Sequence, residues 1–389
     1  MEMNFMQDPI KKKQFFYTYG IFVMNGILAL SIGALLPFIR ESRGLSYAFI
    51  GLLVSLHSVG NLFSSFTAGI LPLYLGRKKS ILLFNASFFL AYLLIVLSPS
   101  NLALSLAFIL TGMARGATSN FCNQVVNNLA TGKAWIFSGL HAMFAIGAFT
   151  FPLVVMGITA ADSSRWVFAL YLLMGIGALN WLLYYLMPLE DDRIQKKTEK
   201  GNFSFFKEPL FWLVTLTLFF YLGAEQGVIG WLVTYFVSTG LLSETLSQVM
   251  ASVLWIMILV GRLGTAYLTK KVSPRKLLLA MGSGLIVFFL LLITSESPAF
   301  IVLGIAGFGL SMAGVYPTVV SFAGGLIQKH ALSWSFMLTG AALGAILMPA
   351  LIGAIAEGAG IVYGMSSVGG AVMLNFIFIL ALLNYVKKL

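Results

Sequence analysis

Apolar residues occur along this chain in runs about as long as a bilayer core demands, roughly 20 residues each. Twelve such runs are separated by short polar stretches: 15–39, 47–75, 80–98, 102–127, 133–158, 165–187, 209–238, 244–270, 275–295, 298–327, 330–357 and 361–387. Strands of a membrane barrel would be about 10 residues long with alternating polarity, a period these runs lack. The pattern therefore predicts an all-α membrane protein with twelve transmembrane helices. The first run is too long for a removable leader and has no small-residue cleavage pattern. Pro37, Pro152, Pro317 and Pro349 fall within or near the ends of runs, where neighbouring helices can re-satisfy the freed carbonyls.

Composition agrees with the pattern. Of the 389 residues 59% are apolar and only 10% are charged, against about 25% charged in an ordinary soluble domain. A soluble globular chain, a disordered chain and a disulfide scaffold are excluded, the last because Cys122 is the sole cysteine. The formal charge of +11 would ordinarily raise nucleic-acid binding. Placing the bases removes that reading. Of 24 Lys and Arg residues, 19 fall in loops and termini on one side of twelve spans, including Lys11, Lys12, Lys13, Arg77, Lys78, Lys79, Lys133, Lys270, Lys271, Lys387 and Lys388. Only Arg40, Arg43 and Arg165 fall opposite, while Arg115 and Arg262 lie inside spans. By the positive-inside rule both termini face the cytoplasm of a multi-pass protein in the cytoplasmic membrane. The lipid bilayer is then the expected partner and nucleic acid is not.

A shift of 197 residues superposes unusual positions along the whole length. Gly26 falls on Gly223, Gly33 on Gly230, Lys78 and Lys79 on Arg275 and Lys276, Gly112 on Gly309, Gly147 on Gly344 and Pro152 on Pro349. Five segments agreeing on one offset predict two parallel six-helix bundles, residues 1–188 and 209–389, joined by a charged cytoplasmic linker at 189–208. Parallel repeats of this kind are a transporter architecture with the site between them.

The same residues carry a resemblance. Gly69 and Gly76, followed by Arg77, Lys78 and Lys79, resemble the cytoplasmic loop motif of the major facilitator superfamily, with Leu73 where the motif has an acid. Gly261, Arg262 and Gly264, followed by Arg275 and Lys276, resemble its second-half copy. Leu140, His141, Phe144 and Gly147, ending in Pro152, resemble the fifth-helix signature of the fucose-permease-like sugar transporters. Tyr221, Gly223, Ala224 and Glu225, followed by Gly230, Trp231 and Tyr235, resemble the seventh helix of the same branch. The resemblance implies the major facilitator fold, sugar transport, and conformational loop motifs at Gly69, Gly76, Arg77, Lys78, Arg262 and Arg275. It also implies a membrane carboxylate in the first helix and another in the fourth. Gly33 and Ser119 stand there instead, and neither titrates, so proton symport by that route is lacking.

Polar groups inside spans are functional candidates, because placing one in lipid costs roughly 3 kcal/mol or more. Glu225 is the acid placed deep in a span, about mid-bilayer at 1.5 Å per residue, and is the candidate for ion coupling. The alternative is a buried hydrogen bond between helices. Gln226 and Tyr221 lie near it, Tyr221 on the same face. Arg115, Ser119, Asn123 and Asn127 recur at steps of four and make one face of the fourth span polar. That face either lines a cavity and binds hydroxyls, or Arg115 anchors carbonyls or pairs with Glu225. His57 heads a similar stripe with Asn61 and Ser64, as structural donor or as proton relay. His141 and Asn25 complete the polar set. The C-terminal half offers aromatic faces instead: Trp231, Tyr235, Trp255, Tyr316 and Trp334. Such rings suit the C–H faces of a pyranose, and those near span ends equally suit interface anchoring. Arg262 reads as a snorkelling or loop-bracing residue.

Enzymatic readings fail. No His/Cys/Asp/Glu cluster has metal spacing, no phosphate-binding loop is present, and no cofactor is called for. The expectation is a secondary transporter, working as a monomer, that moves a small hydroxylated solute such as a monosaccharide by alternating access, with protons or sodium ions as coupling ions. Ion coupling would rest on Glu225, Arg115 and His57. A proton-antiporting exporter of amphipathic compounds is the alternative, its many Met and Phe residues lining a plastic pocket.

Overall fold

A computed structural model describes residues 8–98, 100–129, 134–189, 203–330 and 332–388. Most of the expected linker, 190–202, and Lys133 lie outside these. Twelve helical spans are long and apolar enough to cross a membrane among the described residues. Chain contacts divide the molecule into two compact units, residues 1–35 with 56–198, and residues 36–55 with 199–389.

The first unit holds most of α1 (Pro9–Arg43) and α2 (Tyr47–Ile70), with α3 (Pro72–Leu75), α4 (Arg77–Leu97), α5 (Asn101–Leu129), α6 (Ala134–Thr159) and α7 (Trp166–Leu186). Helix α1 begins at Pro9, ahead of the apolar run at 15, because the Asp8 carboxylate accepts from the backbone N–H groups of Ile10 (2.9 Å) and Lys11 (3.3 Å). A capping acid of this kind extends a helix into polar sequence. Small residues let the helices touch backbone to backbone. A methyl group at Gly26 would fall on the Phe144 carbonyl of α6, and one at Gly112 on the His57 carbonyl of α2. Between α4, α5 and α7 a fully buried amide network forms: the Asn85 Oδ1 accepts from Thr118 Oγ1 and from Asn180 Nδ2, each at 2.8 Å.

The second unit holds α8 (Pro209–Thr239), α9 (Glu244–Leu268), α10 (Pro274–Thr294), α11 (Pro298–Met312), α12 (Val315–Phe322), α13 (Gly324–Lys329), α14 (Ser333–Ala359) and α15 (Ile361–Lys388). Proline at the first turn of α8, α10 and α11 occupies positions whose N–H has no helical partner. Gly240, at φ 71°, closes α8 in the left-handed region. The run at 298–327 is not one helix. It is interrupted after Met312, where Ala313 and Gly314 stay in the right-handed region but Pro317 has no N–H for the Ala313 carbonyl and its ring crowds that carbonyl, and again near Ala323, ahead of Gly324 and Gly325.

The far ends of α1 and α2, residues 36–55, group with this unit. Gly51 and Gly353 approach so closely that a methyl on Gly51 would lie 3.0 Å from the Gly353 Cα. The Glu357 carboxylate accepts from the Tyr47 N–H at 2.7 Å and the Ala48 N–H at 3.3 Å, capping the first turn of α2.

Candidate functional site

In the first unit the polar stripes of α2 and α5 meet. Thr111 donates to the Phe108 carbonyl at 2.7 Å, so its oxygen is left to accept from His57 Nδ1 at 2.9 Å. The hydrogen on Nδ1 leaves the Nε2 lone pair facing Arg115 Nη1 at 3.4 Å. His57 thus acts as an acceptor that helps fix the guanidinium, a geometry suited to the neutral ring. Gly112 and Gly116 make this possible by letting α5 lie directly on α2 beside His57, Asn61 and Ser64.

One helical turn further along α5, Asn25 of α1 donates from Nδ2 to Ser119 Oγ at 2.9 Å, and the Asn25 Oδ1 is buried without a hydrogen-bond partner among the described residues. The Asn123 Oδ1 is in the same condition. Buried amide oxygens left open in this way are costly unless something supplies a donor. His141, half-buried on α6, stands edge-to-face against Phe22 of α1, ring centroids 5.7 Å apart. The structure therefore gathers Asn25, Ser119, His57 and Arg115 into linked pairs. Asn127, the last member of the stripe, is exposed.

In the second unit Glu225 projects from α8 one turn from Tyr221, whose hydroxyl lies 3.2 Å from Glu225 Oε1 and 3.1 Å from the Met312 carbonyl at the end of α11. The Tyr316 ring of α12 stands 6.5 Å from that of Tyr221. Arg262 lies on α9. Gln226 is half-buried beside Glu225.

The remaining aromatic candidates take separate positions. Trp231 is fully buried against Tyr47 and Gly51. Tyr235 is buried and reaches the Ile293 carbonyl at 3.5 Å, at the end of α10. Trp255 is buried within α9, and Trp334 is half-buried in the first turn of α14. A cavity of about 270 Å³ opens near the ends of α1 and α8, lined by Pro37, Arg40, Glu41, Thr234, Val237 and Ser238.

The loop motif also has a definite geometry. Gly76, at φ 82°, joins α3 to α4, and Lys78 Nζ donates to the Tyr185 carbonyl at 2.6 Å and the Met187 carbonyl at 2.5 Å, closing the end of α7. Its counterpart Arg275 is exposed, as is Gly69, while Arg77 Nε is buried. Asn85 and Asn180, which pair between α4 and α7, belong to no polar stripe; each is a lone amide in an otherwise apolar run, and that isolation is the signal the sequence carries for them. No group of three or more metal-binding side chains occurs among the described residues.

Residues 18–334 match the family profile described as Major Facilitator Superfamily. The glucose/mannose transporter GlcP of Bacillus subtilis is 24% identical over 358 residues, covering 87% of each chain. The hexuronate transporter of the same organism is 25% identical over 352 residues, 85% of this chain and 80% of the relative. Among solved structures, a mutant of the nucleoside transporter NupG superposes with a TM-score of 0.79 at 15% identity, covering 96% of this chain and 99% of that one. A bacterial homologue of the human lysosomal transporter Spinster, in an inward-facing and occupied conformation, gives 0.76 at 13% identity, covering 97% of each. At such identities these two likenesses speak for the fold alone. The family consists of transporters, not enzymes. With twelve spans among the described residues and a family match over residues 18–334, this chain belongs to the major facilitator superfamily.

Proposed function

We propose that this secondary transporter moves a small hydroxylated solute, a monosaccharide or a close derivative, coupled to protons through Glu225. The carrying observation is the pairing of Arg115 with His57 beside the Asn25–Ser119 hydrogen bond. A guanidinium, an imidazole, an amide and a hydroxyl held on α1, α2 and α5 supply the donors and acceptors that ring hydroxyls need. The names of two relatives, one for glucose and mannose and one for hexuronates, support the same class. Arg115 would also suit a carboxylated sugar through a charge-assisted bond.

Glu225 supplies the titratable group that Gly33 and Ser119 do not. Within its unit its carboxyl lies 3.2 Å from the Tyr221 hydroxyl, which can donate to the ionised acid or accept from the protonated one. The polar walls argue against a purely apolar substrate. In this reading residues 1–188 and 209–389 rock as two bundles about the site, both termini face the cytoplasm, the protein sits in the cytoplasmic membrane, and it acts as a monomer.

Purified protein in liposomes, screened for uptake of radiolabelled hexoses, hexuronates and lipophilic cations, tests the substrate class. Saturable hexose or hexuronate uptake is expected, reduced by Arg115→Leu. Uptake confined to lipophilic cations would overturn it in favour of an exporter.

A further inference from the structure

Tyr221 carries one hydroxyl hydrogen and stands between two acceptors. Glu225 Oε1 lies 3.2 Å from its oxygen, and the Met312 carbonyl 3.1 Å. It cannot serve both fully. When Glu225 is ionised, the carboxylate is the stronger acceptor and holds the hydrogen, because a charge-assisted bond is roughly twice as strong as a neutral one. When Glu225 is protonated, its own O–H can donate to the tyrosine oxygen, which frees the tyrosine hydrogen for Met312. The added proton rests on Glu225 throughout, Tyr221 stays neutral, and only hydrogen bonds change hands.

The carbonyl that gains or loses this bond occupies a special place. Met312 is the last residue of α11, Ala313 and Gly314 separate it from α12, and Pro317 withholds the N–H that would have closed the Ala313 carbonyl. A broken helix at membrane depth leaves backbone groups that must find other partners. Gly314 sits tightly between Thr265 of α9 and Met281 of α10, so the break is seated in the unit and not adrift in lipid. The Tyr316 ring of α12 stands 6.5 Å from the Tyr221 ring.

We propose that Tyr221 is a positioning residue that transmits the charge state of Glu225 to the break between α11 and α12, so that protonation alters the angle at which α12 leaves the break. This rests on the reading of Glu225 as the coupling acid.

The test combines transport with a local probe. A spin label at Ser321→Cys, an exposed position late in α12, reports the mobility of that segment, since the native Cys122 is buried and hydrogen-bonded to Tyr184. With Tyr221 present, its spectrum is expected to change between alkaline and acidic medium, and the change is expected to vanish in both Tyr221→Phe and Glu225→Gln. In liposomes, Tyr221→Phe should keep gradient-free solute exchange within about twofold of the parent while losing stimulation by an inward proton gradient. A Tyr221→Phe protein that keeps both the spectral change and the stimulation overturns the proposal. Should Glu225→Gln itself keep gradient stimulation, the coupling reading falls. Loss in Glu225→Gln with retention in Tyr221→Phe sinks only the relay. If Tyr221→Phe does not fold, Pro317→Ala takes its place. Restoring a backbone donor should stiffen the break and reduce the spectral change by about half or more, and an unaltered change would overturn the proposal.

Discussion

The two repeats use the same helix contacts to hold different chemistry. Gly26 and Gly147 join α1 to α6 in the first unit, and their 197-residue counterparts Gly223 and Gly344 join α8 to α14 in the second. Gly112 of α5 rests on residue 57 of α2, and its counterpart Gly309 of α11 rests on Leu254 of α9, the position equivalent to His57. The side chains over this common frame diverge. Arg115 corresponds to Met312, Ser119 to Tyr316, Asn123 to Val320 and Thr111 to Phe308, while Glu225 corresponds to Leu28. One unit therefore carries a hydrogen-bonding set around a guanidinium, and the other a carboxylate beside a broken helix. Backbone contacts set the scaffold, and a handful of polar substitutions set the division of labour.

The largest expected effect tests whether the frame is as symmetric as it looks. An alanine methyl at Gly26 would meet the Phe144 carbonyl and lie 2.8 Å from the Ala148 nitrogen, whereas one at Gly223 would sit at an ordinary 3.4 Å from the Gly344 carbonyl. Gly26→Ala should destabilise by about 2–3 kcal/mol through forced separation of α1 and α6. Gly223→Ala should be neutral or stabilise by up to about 0.5 kcal/mol, since alanine is the better helix former. Thermal unfolding in detergent measures both, and equal losses would mean the repeats tolerate crowding alike.

Next comes the division of chemistry. Arg115→Leu should weaken solute binding by about tenfold or more, the loss expected for a charge-assisted hydrogen bond, with His57→Leu following in the same direction. Leu254→Met in the equivalent place should change affinity by less than about threefold. Ligand-induced thermal shifts read out both.

A smaller effect separates polar from apolar packing. Asn85 accepts from Thr118 and Asn180, but the equivalent second-unit positions are Gly282, Val315 and Ile377. Asn85→Ala should cost about 1–3 kcal/mol in unfolding by leaving two donors unsatisfied, with solute affinity unchanged. The smallest difference concerns the loop motifs. Lys78→Ala should cost about 0.5–1 kcal/mol by uncapping α7, whereas Arg275→Ala, on an exposed side chain, should cost nothing measurable.

Much of this architecture is legible without coordinates, since a span has to be long and apolar and a repeat has to keep its glycines wherever backbones touch. The stripes at His57 and Arg115 were legible for a related reason: steps of four put polar groups on one face, and an isolated polar face in a membrane needs a partner. Other features were not. Helix α8 has no amphipathic period, so nothing in its pattern tells that Trp231 and Tyr235 turn into packed surroundings. The break after Met312 rests on which carbonyl Pro317 deprives, and a membrane helix often absorbs such a proline without parting. The Tyr221–Met312 bond links residues 91 apart in sequence, a pairing no local pattern announces.

The central claim, that Glu225 couples solute movement to protons, is tested most directly by one ratio: initial solute uptake into liposomes with an inward proton gradient divided by uptake without it, for the parent and for Glu225→Gln. A coupled carrier should show a ratio of about ten or more in the parent, equivalent to roughly 1.4 kcal/mol of activation free energy, and a ratio of one in Glu225→Gln with uptake still saturable. Equal ratios in the two proteins would contradict the assignment of Glu225.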